Sequence, residues 1–110
     1  MSEKVESTLA AILRASDPVL ALRAARERNP ALAPLDHIDE DGLRMAALLV
    51  LKLRFERLLR GDPEVEAEHE RDPEGLARDV RAYHHETPLR ALFPAAEARA
   101  FREWRASKSG

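Results

Sequence analysis

The chain has 110 residues, 18 basic and 20 acidic side chains, a formal charge of −2 and no cysteine. That length suits one domain and not two. The charge balance gives no global field for nucleic acid or acidic membranes, and the missing cysteine excludes disulfides, thiolate nucleophiles and Cys-ligated zinc or iron–sulfur sites.

β-Branched residues are scarce, with five Val, two Ile and two Thr against nineteen Ala, sixteen Leu and fifteen Arg. A sheet would lack its usual material, whereas strong helix formers abound. We expect an all-α fold: a single compact bundle of five to six helices around a long central apolar helix at about 41–60. The bundle should span residues 1–106, with 107–110 a flexible tail.

Helix starts are marked by three Asp-Pro pairs, Asp17-Pro18, Asp62-Pro63 and Asp72-Pro73. Aspartate accepts from unpaired first-turn amides, and proline at the first helical position gives up an N–H that had no partner. A first helix is expected from near Ser2 to near Ser16, with Val5, Leu9, Ile12 and Leu13 on one stripe. Asp17-Pro18 ends it and opens a second, running to about Arg28, with Val19, Leu22 and Ala25 inward.

Asn29-Pro30-Ala31-Leu32-Ala33-Pro34 reads as a linker, because two prolines four apart disfavour helix. Leu32 and Leu35 are expected to tuck onto the bundle. The third and longest helix runs from Asp39 or Asp41 to Arg60, stopped by Gly61. Leu43, Ala47, Val50, Leu51, Phe55 and Leu58 form one face, and Met45, Leu48, Leu49, Leu53 and Leu59 widen the apolar arc. A helix apolar on nearly every side should be surrounded. On that reading Leu49→Asp buries an unpaired charge and prevents folding.

Asp62-Pro63 opens a short acidic helix to about Glu70, and Asp72-Pro73 opens a fifth in which Leu76, Val80, Tyr83 and His84 share a face. Thr87-Pro88 breaks it. Leu89, Leu92 and Phe93 lead into a last helix from Pro94, with Ala96, Ala100, Phe101 and Trp104 inward.

Catalytic and metal signatures are thin. The segment Asp36 to Gly42 resembles a calcium loop only in outline: His37 takes the first ligand position and Leu48 the twelfth, where a bidentate Glu belongs. Its acids are better read as caps for the long helix. His69-Glu70 and His84-His85-Glu86 lack the second His of a zinc helix, and adjacent His84 and His85 diverge by about 100°. Whether His69 joins His84 or His85 across helices, with Glu66 or Glu70 completing a site, depends on packing. No nucleophile elbow or phosphate-binding glycine loop occurs. No cofactor or metal is expected, and catalysis by the chain alone is disfavoured.

Arg44, Lys52, Arg54, Arg57 and Arg60 lie along the third helix, and Arg99, Arg102, Arg105 and Lys108 along the last. A helix-turn-helix needs a turn of three or four residues, whereas helices two and three are joined by about ten, with two prolines. The acidic run Asp62, Glu64, Glu66, Glu68 and Glu70 is read as pairing with the basic stripe of the third helix. The longest apolar run, Met45 to Leu51, is far short of the roughly 20 residues of a membrane span, and the first residues are acidic where a secretory leader would be basic. We expect a cytoplasmic protein.

From Asp62 to Trp104, two Asp-Pro-started helices followed by a helix bearing acids and aromatics resemble helical accessory subunits that work beside a catalytic partner, including those assisting peptide-modifying enzymes. The resemblance implies an accessory role. From the residues themselves, the first expectation is a non-catalytic binding or adapter protein that engages a protein or peptide. Its groove would be edged by the last two helices and carry Tyr83, His84, Leu89, Leu92, Phe93 and Trp104, since aromatics and Arg dominate interface hot spots. The alternatives are an accessory subunit of a peptide-modifying or metal-dependent enzyme and a small DNA-binding regulator. Nucleic acid is the less favoured partner, no membrane is expected, and homo-oligomerisation stays open.

Overall fold

A computed structural model describes residues 3–89 and 93–109. Within them the protein is all-α: α1 (Glu3–Arg14), α2 (Pro18–Arg28), a short 3-10 helix (Ala33–His37), α3 (Glu40–Gly61), α4 (Pro63–Arg71), α5 (Pro73–Glu86) and α6 (Pro94–Ser109). No strand occurs among the described residues.

The Asp-Pro pairs act as expected. Asp17 accepts from the Leu20 amide, Asp62 from Glu64 and Asp72 from Gly75, each with proline in the first turn. Asp39 caps α3 by accepting from the Gly42 amide at 2.8 Å, so this carboxylate serves the helix end. Two boundaries differ from expectation. The Pro-rich linker forms a 3-10 helix with Pro34 in its first turn, which such a short element tolerates because those amides need no partner. The last helix also continues through Ser109, so 107–109 is helical; Ser107 Oγ donates back to the Trp104 carbonyl at 2.7 Å. The expected start at Ser2 lies outside the described residues.

The chain divides into two compact units, 1–50 and 51–110. In the first, Ile12, Leu22, Ala25, Leu35 and Leu43 form the core, with Leu13, Ala21, Leu32 and Ile38 against it. Leu32 and Leu35 therefore tuck inward as expected. Arg26 secures the 3-10 helix, donating to the Leu35 carbonyl at 2.8 Å and the Ile38 carbonyl at 3.0 Å. Arg23 grips Glu40 with two bonds of 3.0 and 2.8 Å, which hold the Glu40 carboxyl below its ordinary range.

In the second unit Leu58, Val65, Leu76, Val80, Tyr83, Ala98 and Phe101 are buried together, with Leu51, Phe55, Leu59, Ala100 and Trp104 around them. Gly61 sits where the end of α3 meets the start of α6, and a Cβ there would collide with the Pro94 carbonyl. This glycine answers a close approach of two backbones.

The shielding expected for α3 is not found. Its inward face, Leu43, Arg54 and Leu58, is buried, but Met45 is 70% exposed, Leu48 65%, Leu49 55% and Leu53 54%. The apolar arc is wider than the surface its neighbours cover.

Candidate interaction surface

Two features of α3 bear on function, one buried and one open to solvent. Positions 47, 51, 54 and 58 recur at helical spacing and place Arg54 on the same face as Leu58. Its guanidinium is 3% exposed and Glu97 from α6 is 1% exposed. Arg54 Nε donates to Glu97 Oε1 at 2.6 Å and Nη2 to Oε2 at 3.5 Å. Arg54 Nη1 also donates to the Thr87 carbonyl at 2.6 Å and lies 3.3 Å from His84 Nδ1. Tyr83 completes the group by donating its hydroxyl to Glu97 Oε2 at 2.7 Å, with the guanidinium 4.5 Å above its ring. Burial, then the bond to Glu97, pushes the Tyr83 hydroxyl up to about 12.

This cluster ties α3, α5 and α6 around a charge pair that water does not reach. Both oxygens of Glu97 are engaged and each of the three guanidinium nitrogens of Arg54 has a partner, which is what keeps a buried pair tolerable. Its chemistry is structural.

That geometry decides the placement of the residues expected to line a groove. Tyr83 and His84 are interior, because each serves the buried pair, and they do not present a binding face. Trp104 is half-buried; its ring lies 5.6 Å from Tyr83 and 6.3 Å from Phe101, and the Lys108 ammonium sits over it at 5.7 Å. Leu89 and Phe93 are exposed. Leu92 lies outside the described residues.

His69 stacks edge-on against Phe55 at 5.3 Å, while His84 lies against Arg54. Among the described residues no three His, Asp or Glu side chains gather as metal ligands would.

The charged stripes also pair differently from the reading above. Acids of the α4 segment meet α6: Glu68 takes two bonds from Arg105 at 2.8 and 2.6 Å, and Asp62 lies 3.3 Å from Arg102. Asp79 adds a third bond to Arg105 at 3.0 Å, and Lys108 meets Glu86 at 2.8 Å. The groove beside α4 and α6, about 420 Å³, is lined by Asp62, Glu68, Arg71, Arg102 and Arg105 among others. Most of its charges already neutralise one another. A second groove of about 310 Å³ between α1 and α2 is lined by small residues such as Ser7, Ala11 and Ala21.

The open feature is the outward side of α3. Met45, Leu48, Leu49 and Leu53 make a contiguous apolar strip at i, i+3, i+4 and i+8, edged by Asp41 and Lys52. Single exposed apolar residues are ordinary, whereas here four large ones adjoin on one helix face. No helix among the described residues is long and apolar enough to cross a membrane.

No protein-family model, curated protein or solved structure matches this chain.

Proposed function

We propose that this chain is a non-catalytic helical binding protein whose docking element is the outward face of α3. One observation carries the reading: Met45, Leu48, Leu49 and Leu53 stand more than half exposed and side by side on a helix whose opposite face carries the buried Leu43, Arg54 and Leu58. Burying such a strip against a protein partner recovers about 25 cal/mol for each Å² of apolar surface taken from water. Helix-in-groove or helix-on-helix docking uses this spacing of anchors.

The polar clusters support binding over catalysis, since the most buried ionisable groups are engaged with one another. The acid partners of Arg102, Arg105 and Lys108 weaken the reading of α6 as a DNA-contacting helix.

The test compares the chain with Leu48→Glu in chemical cross-linking under native conditions. The wild type should yield a cross-linked protein adduct that the variant loses, with helicity by circular dichroism unchanged. Equal adduct from both would reject α3 as the docking element.

A further inference from the structure

Asp41, Met45, Leu48 and Lys52 follow one another at intervals of four, three and four residues along the exposed side of α3. That spacing is the seam of paired helices, in which successive knobs fit holes on a facing helix. The order acid, apolar, apolar, base has a further property: it complements itself when reversed. Turn a second α3 antiparallel, with the twofold axis between residues 46 and 47. Each Asp41 then faces the partner's Lys52, and each Met45 faces the partner's Leu48.

We infer that the occupant of this face is a second copy of the chain, docked antiparallel through α3 as a twofold-symmetric dimer. The inference rests on the proposed function and names its partner.

Charge complementarity selects both the copy and its direction. A parallel pair would set Asp41 against Asp41 and Lys52 against Lys52, which like charges oppose. The antiparallel pair is isologous and closes on itself, leaving no free sticky edge. Both charged ends are available: Asp41 is 90% exposed despite its bond to Arg44 at 2.9 Å on the same helix, and Lys52 has no ion pair among the described residues. Leu49 flanks the seam and gains cover from the facing helix.

From Asp41 to Lys52 the seam is about 16 Å long, at 1.5 Å per residue. An interface built on it falls at the small end of specific contacts, the class of weak and transient association.

The experiment is sedimentation velocity on the full chain from about 1 to 200 µM, a range spanning weak specific dimers. Wild type should pass from monomer to dimer. Asp41→Lys and Lys52→Asp should each weaken association about tenfold, because symmetry places every reversed charge at two contacts. The double variant Asp41→Lys/Lys52→Asp should restore it to within about threefold, since the swapped charges again face each other. Because the protein has no cysteine, a mixture of Asp41→Cys and Lys52→Cys chains should form a mixed disulfide dimer, whereas neither variant alone should. A monomer throughout the range, no rescue by the double variant, or cross-linking of Asp41→Cys to itself would overturn the inference. A monomer whose adduct with another protein is still abolished by Leu48→Glu would overturn the dimer and leave the proposed function standing.

Discussion

Arg54 and Glu97 lie 43 positions apart and meet in the interior of the second unit at 2.6 Å, each almost wholly removed from water. Removing one partner strands the other's charge in a medium that solvates it poorly. Glu97→Leu and Arg54→Met are each expected to cost about 3–5 kcal/mol. The double variant should cost less than the sum. It still leaves the Tyr83 hydroxyl and the Thr87 carbonyl short of partners, at about 1–3 kcal/mol. Urea unfolding of the three variants measures the coupling. Additive costs would show that the two groups do not depend on each other.

Tyr83 provides a pH prediction with one reporter, since it is the only tyrosine. Its hydroxyl is raised from 10.0 to about 12, chiefly by burial and then by the bond to Glu97. The unfolded chain releases this proton first, so the stabilising contribution is complete below pH 10. It declines as pH rises between 10 and 12 and is gone above the folded value. The loss across that window is about 2–3 kcal/mol, from 1.36 kcal/mol per unit. Near-ultraviolet phenolate absorbance of folded protein should titrate near 12, and near 10 in denaturant. A folded titration near 10 would place the hydroxyl in water.

Helix positions were legible in the sequence because their causes are local. An Asp-Pro pair acts through its own side chain and the next three amides, and the three pairs begin α2, α4 and α5 as read. The inward stripes of α2 and α5 were equally plain from periodicity. Arg54, grouped by sequence with the basic residues of the third helix, is buried against Glu97 instead, although a signal was present. Arg54 falls on the stripe of Ala47, Leu51 and Leu58, and Glu97 lies one turn before Phe101. What one sequence does not contain is the pairing of two charges 43 residues apart. Nor does it show which part of an all-round apolar helix stays uncovered, because that depends on how many neighbours reach it.

Gly61 is expected to resist the substitution that normally favours a helix. Glycine to alanine gains up to about 1 kcal/mol from propensity in a helix interior. Here the new Cβ meets the Pro94 carbonyl, a backbone atom that cannot turn aside. Gly61→Ala should therefore destabilise by about 1–3 kcal/mol, the cost of overpacking. A rise in thermal midpoint would show that the junction of α3 and α6 is looser.

Glu68 predicts acid sensitivity on the α4–α6 side. The hydrogen bonds from Arg105 hold its carboxyl below the ordinary 4.5 despite partial burial. The unfolded chain takes up the proton first, so the contribution is present above pH 4.5. It is lost as pH falls towards the lowered folded value. Glu68→Gln should flatten the decline in stability over that acidic window relative to wild type. Parallel pH profiles for the two proteins would assign the sensitivity to other carboxyls.

Leu49→Asp separates the two accounts of α3 most sharply. Were the helix shielded all round, the new carboxylate would be buried without a partner and the protein would not fold. With Leu49 55% exposed, the carboxylate reaches water and the cost reduces to lost helix propensity and partial contact, below about 1 kcal/mol. Unfolding at concentrations low enough to keep the chain monomeric should leave the midpoint nearly unchanged. Association through α3 should nevertheless weaken, because Leu49 flanks the seam and a carboxylate there faces apolar surface. A loss of several kcal/mol in the monomer would return Leu49 to the interior and remove the surface on which the proposed docking depends.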